Sequence, residues 1–285
     1  MSVAMIDIDH LKTWVGRSED AFDVAHAAPL AGLSALLDHQ TPPWIPGELP
    51  PLGHWLYFLP YVRQSELESD GHPKRGSFMP PVPLPRRMWA GNRIEFHAPI
   101  PLGAGMTRRS TIESVDVKSG GSGEMVFVTV LHEISVEGAL AIVEHHDIVY
   151  REAPKAGAAP AKSAQAETPA SEWTRVITPD PVQLFRYSAL TFNGHRIHYD
   201  RDYCRNIEGY PGLVVHGPYT ATLLVDHFLR RNPAARIVSL SLRARAPLFD
   251  TAPFDLCGRK ADGGAYLWAR GPEGQVAMAL DIRAN

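Results

Sequence analysis

The sequence predicts an α+β fold in which a curved antiparallel sheet wraps a helix, a unit built twice along the chain. Landmarks recur in the same order in both halves, at Gly53 and Gly217 and at Pro99 and Pro247. Long strand-like runs follow one another without alternating with long helices, which excludes a wound α/β sheet. An Ala- and Pro-rich segment, residues 153–171, separates the halves and carries no aromatic or large aliphatic residue.

In the first half, residues 51–54 (PLGH) lead into the apolar stretch 55–61, then into residues 93–105 and the strand-like runs 124–135 and 139–150. The expected layout is one long helix followed by several long strands. Residues 125–131 are apolar at nearly every position, so that strand is expected to be covered on both faces. His145 and His146, with Glu144 and Asp147, fall within the last run, where neighbours point to opposite faces; a solvated sheet edge is expected there. The segment 153–171 reads as an exposed linker, because Pro154, Pro160 and Pro169 each remove a backbone donor. In the second half the strongest helix spans 218–230. Gly217 precedes Pro218 at a first helical position, and Leu224, Val225, Phe228 and Leu229 form its apolar face. Residues 236–250 and 265–270 follow as strands. Val276, Met278, Leu280 and Ile282 alternate with small or polar residues as in a half-buried strand. The expected organisation is a first domain at 1–152, the linker, and a second domain at 172–285.

Composition narrows the function classes. A chain of 285 residues with 45% apolar and 21% charged residues can bury a sizeable core. Its 28 basic against 31 acidic residues give a formal charge of −3, so no global basic field favours nucleic acid. Two cysteines, Cys204 and Cys257, suggest neither a disulfide framework nor a thiolate zinc site, and fit a reducing cytoplasm. The start, with Asp7 and Asp9, lacks the order of a secretory signal, and no apolar run approaches about 18 residues, so a soluble protein with no membrane partner is expected.

The densest polar cluster is residues 185–204, FRYSALTFNGHRIHYDRDYC, which places Asn193, His195, His198, Asp200 and Asp202 beside a turn. Shortly after comes GYPGLVVHGP, residues 209–218, where glycines bracket a short apolar strand and lead into the helix. An acid/base group and a helix start with free N–H groups are what proton transfer beside a thioester carbonyl requires.

TFNGHRIH followed by VVHGP resembles the hydratase signature of MaoC-like hotdog dehydratases. FRYSALTFNGHRIHYD is similar, more specifically, to the type 2 3-hydroxyacyl-thioester dehydratases and the mesaconyl-C4-CoA and itaconyl-CoA hydratases. The likeness extends over nearly the whole chain through MWAGNRIEF, RRSTIESVDVKSG and EMVFVTVLHEI. It implies two fused hotdog domains, a degenerate first and a catalytic second, and one active site per chain. It also implies an acyl-CoA thioester as substrate, with mesaconyl-C4-CoA or itaconyl-CoA leading, and hydration without a cofactor.

Asn193 and His198 are the expected catalytic pair, and the N–H of Gly217 the expected oxyanion donor. His195, His216, Tyr187 and Arg186 are candidate substrate contacts. The general signature has Asp where this chain has Asn193; an amide can orient water but cannot act as a base, which leaves the proton transfer to His198. A metal reading of His195 and His198 with Asp200 and Asp202 lacks a third protein ligand of clear geometry, so no metal is expected. A dicarboxylate acyl group would need an arginine inside the pocket, which the sequence does not single out. Competing readings are a dehydratase of fatty-acid metabolism, a hotdog thioesterase, betrayed by released CoA, and a non-catalytic acyl-CoA-binding protein. A fused pair is already a pseudo-dimer, so a homodimer is optional.

Overall fold

Period-2 patterning and well-placed punctuation generate ten strands and five α-helices among the described residues. These are 6–120, 123–152, 169–233 and 235–285 of a computed structural model. The first half contains α1 (Ile8–Lys12), β1 (Ser18–Val24), α2 (Ala27–Leu36), β2 (Arg86–Phe96), β3 (Gly105–Gly120), β4 (Gly123–Val136) and β5 (Ala139–Arg151). The second contains β6 (Trp173–Ile177), α3 (Pro181–Leu190), α4 (Arg201–Asn206), α5 (Gly217–Leu229), β7 (Ile237–Ala244), β8 (Phe254–Ala261), β9 (Gly264–Arg270) and β10 (Val276–Ala284).

All strands join one antiparallel sheet in the order β1-β3-β4-β5-β2-β7-β10-β9-β8-β6. Read outward from the central β2–β7 pair, the two halves present equivalent strands in equivalent order. This is a double hotdog, as the repeated landmarks imply. Pro99 follows the end of β2 as Pro247 follows the end of β7, and Gly53 and Gly217 each open a helical turn. Most of the linker, residues 153–168, lies outside the described residues.

Helix α5 is the core of the second half. Every residue from Tyr219 to Leu229 is buried, and its Leu, Val and Phe side chains each contribute about 1.5–3 kcal/mol by leaving water. Among its polar residues, Asp226 is paired with Arg175, Arg230 and His39.

The first half departs from the expected layout. Where α5 has its counterpart, only a one-turn 3-10 helix forms, Gly53–Leu56. Phe58 then adopts φ +53°, outside the helical region, and Pro60 follows. Among the described residues, the sheet of this half therefore curves around no counterpart of α5. Strand β4 also differs: Val126, Val128 and Val130 are buried, whereas Met125, Phe127, Thr129 and Leu131 are only half-buried. Strand β10 is buried on both faces from Val276 to Leu280, because it lies between β7 and β9 in the interior of the sheet. No described helix is long and apolar enough to cross a membrane.

Candidate active site

The missing helix leaves a hollow. A cavity of about 680 Å³ lies between the concave face of the first half and the α3–α5 region of the second, within the range of small-molecule sites. The second half supplies Tyr187, Ser188, Asn193, Gly194 and Pro218 to its wall. From the first half come His54, Trp89, Asn92, Arg108, His132, Glu144 and His146. A smaller cleft of about 260 Å³, near Trp44 and Arg236, contains none of the predicted residues.

The loop carrying Asn193 to His198 is built by local rules. Asp180 caps α3 by accepting from the Val182 and Gln183 N–H groups, with Pro181 at the first position. After α3, the Asn193 N–H donates to the Ser188 carbonyl at 2.8 Å, and Asn193 Oδ1 accepts from the His195 N–H at 3.0 Å. Asp200 caps α4 through the Tyr203 N–H and holds Arg196. A first-half loop docks here: the Arg196 N–H donates to the Asp70 carbonyl at 2.8 Å. Gly71, at φ +92°, packs so closely on the Gly194 carbonyl that a side chain would overlap it.

His198 is buried. Its Nδ1 lies 2.7 Å from the Val214 carbonyl oxygen, an acceptor only, so Nδ1 carries the hydrogen and Nε2 presents a lone pair. Burial, helped by the neighbouring His72 and opposed by the Val214 bond, pushes its pKa down to about 4. The ring is therefore neutral at pH 7. It stacks on His216 with centroids 3.6 Å apart and meets His195 edge-on at 5.5 Å. His216 is fully buried and pairs through Nε2 with the Ser188 hydroxyl at 2.9 Å. Burial, then the neighbouring His72 and His198 imidazoles, push His195 down to about 2.

Of the predicted residues, Asn193 and Tyr187 reach the cavity wall, whereas His195, His198 and His216 form a layer that is not part of it. Gly217 is the first residue of α5 and packs against Trp89 of the first half; a Cβ there would sit 2.5 Å from the Trp89 ring. Its N–H has no acceptor within the helix. Arg186 is exposed on α3, and the structure does not bring it to the cavity.

Asp200 and Asp202 do not gather around the histidines, since Asp200 is engaged as a cap and Asp202 lies in the first turn of α4. Instead Asp70, His72 and His195 bring donor atoms within 4.8 Å of one another. Both Asp70 carboxylate oxygens already accept from His72, one from its N–H and one from its ring.

The expected solvated edge at residues 144–147 is corrected by the structure. Strand β5 runs between β2 and β4, so it has no free edge. Alternation sends His145 and Asp147 outward to Glu113 and Arg93, and turns Glu144 and His146 into the cavity. Glu144 accepts from Trp55 Nε1 at 2.9 Å and Asn92 Nδ2, and pairs with His54 Nε2 at 3.0 Å. Burial alone would raise its pKa; the His54 bond and the nearby imidazoles outweigh this and hold it near about 2. Trp89 donates to Asn92, so hydrogen bonds and packing run from Glu144 to the start of α5. The sequence signal for this cluster was the shared strand face of Ile142, Glu144, His146 and Ile148.

Comparison with known proteins agrees with this architecture. Residues 52–250 match the family described as hydroxyacyl-thioester dehydratase type 2. The mesaconyl-C(4)-CoA hydratase of Chloroflexus aurantiacus is 46% identical over 276 residues, covering 94% of this chain and 96% of that protein. Among solved structures, HtdX of Mycobacterium tuberculosis superposes with a TM-score of 0.66 at 17% identity, covering 93% of this chain and 99% of the other. A second Mycobacterium tuberculosis protein, described as a double hotdog fold, gives 0.57 at 13% identity and covers 95% of this chain and 96% of its own. The structural likenesses establish the fold; the family match over most of the chain and the 46% identity establish kinship, and the chain belongs to the type 2 hydroxyacyl-thioester dehydratase family.

Proposed function

We propose that the chain is a hydro-lyase that reversibly adds water across the C2–C3 double bond of an enoyl-CoA, with mesaconyl-C4-CoA as substrate and itaconyl-CoA as the next candidate. The observation that carries the reading is His198: a buried, neutral imidazole whose tautomer is fixed with Nε2 as acceptor. It lies in the loop whose Asn193 lines a cavity large enough for an acyl group and part of the pantetheine arm.

In the hydration direction, a water in the cavity is oriented by the Asn193 amide, with His198 in the layer behind the wall. His198 takes one proton as the water oxygen bonds to C3. The electron pair of the double bond shifts toward the thioester oxygen, where the Gly217 N–H and the positive end of α5 stabilise the charge. The imidazolium then returns its proton to C2, so OH and H are both accounted for. Dehydration is the reverse. Tyr187, His195 and His216 shape the pocket behind the acyl group, and Arg186 takes no part. In this scheme residues 172–285 form the catalytic repeat and 1–152 the repeat that encloses the substrate. The family match also supports the dehydration direction on other 3-hydroxyacyl thioesters.

The test is loss of enoyl-thioester absorbance with mesaconyl-C4-CoA, itaconyl-CoA and crotonyl-CoA. The wild type is expected to consume mesaconyl-C4-CoA fastest without releasing free CoA. Stoichiometric thiol release would favour a thioesterase, and tight binding without turnover of any ester would favour a non-catalytic binder.

A further inference from the structure

The cavity wall contains two guanidiniums, Arg87 on β2 and Arg108 on β3, and among the described residues neither forms an ion pair. Arg108 sits on β3, where its backbone pairs with Ala21 and Ile134, and its side chain joins the wall beside Phe58, over whose ring it lies at 4.9 Å. Its Nε is buried with no hydrogen-bond partner. No described carboxylate forms an ion pair with it, and the acids nearby are otherwise placed. Glu144 is held by His54, Trp55 and Asn92. Asp23 accepts from the Val24 and Phe58 N–H groups, and Glu19, exposed on β1, attracts Arg108 without forming an ion pair with it. Arg108 is half-buried, so its buried Nε is costly to leave unbonded while the rest of the guanidinium can reach the cavity, and a planar five-donor group suits a carboxylate.

We propose that Arg108 binds a carboxylate carried by the acyl part of the substrate, so that the cavity selects monothioesters of dicarboxylic acids over neutral enoyl thioesters. This rests on the hydratase reading above and assigns its specificity. Phosphates of the CoA moiety have related chemistry. The experiment separates the two, because loss of a phosphate contact weakens charged and neutral esters alike. The sequence offered many arginines for this role; the vacated helix position exposes two of them, and of that pair Arg108 is the one with a buried, unpartnered Nε.

The experiment compares mesaconyl-C4-CoA with 3-methylcrotonyl-CoA, which has a methyl in place of the carboxylate, in the wild type, Arg108→Met and Arg108→Lys. The ratio of kcat/KM for the charged over the neutral ester is expected to fall about 100-fold in Arg108→Met, with Arg108→Lys retaining part of it. A ratio unchanged within about threefold overturns the proposal. So does an equal loss for both esters, which would place Arg108 on the CoA phosphates. Calorimetric binding to the wild type supplies an arm that needs no turnover and no variant: succinyl-CoA is expected to bind at least about tenfold more tightly than butyryl-CoA, and equal affinities overturn the proposal. A wild type that hydrates neither ester yet keeps this preference contradicts the hydratase reading while supporting the carboxylate site.

Discussion

Replacing His198 with alanine is expected to lower kcat for enoyl-CoA hydration by about 100 to 10,000-fold, the range for loss of a positioned general base, while KM changes little. The magnitude follows from the absence of a substitute. Asn193 cannot accept a proton at neutral pH, and His216 Nε2 is already engaged with the Ser188 hydroxyl at 2.9 Å. The pH profile checks the assignment. With the His198 pKa pushed down to about 4, the base is deprotonated above that value, so kcat/KM should hold through pH 6.5 and fall only as the pH drops toward about 4. An acidic limb centred near 6.5 would instead describe a solvated histidine.

The variant Glu144→Ala is expected to destabilise the fold by about 3–5 kcal/mol, the cost of removing one partner from a buried pair. Glu144 is 4% exposed, and its removal strands His54 Nε2, Trp55 Nε1 and Asn92 Nδ2 in the interior. Urea unfolding should show a lower midpoint at an unchanged slope. The Glu144→Gln variant keeps an acceptor for Trp55 and should lose less. A destabilisation below about 1 kcal/mol for the alanine variant would show that the cluster is solvated, as in an ordinary surface pair.

The repeat was legible because its markers are chemically constrained. Gly217 must be glycine where Trp89 packs on the helix start, and Pro99 and Pro247 each follow the strand that meets its partner at the centre of the sheet. The helix at 218–230 was legible from its apolar face and its Gly–Pro start. The helix expected after Gly53 was not formed, because apolar content alone does not distinguish a buried helix from a chain that bends at Phe58 and Pro60. Asn193 and His198 could be located because their loop is contiguous. The contributions of Asp70, His72, Arg108 and Glu144 could not: each depends on which strand lies beside which, and on whether a strand such as β5 is central or at an edge. Alternation in residues 144–147 was visible, but which face turned inward was set by the hollow that the missing helix left.

A hydro-lyase adds water to carbon and leaves the thioester intact. Turnover of mesaconyl-C4-CoA in ¹⁸O-labelled water, followed by mass spectrometry of the products, tests it most directly. One ¹⁸O atom is expected in a hydroxyl at C3 of an intact CoA ester. Label found instead in a free carboxylate, with CoA released, would contradict it.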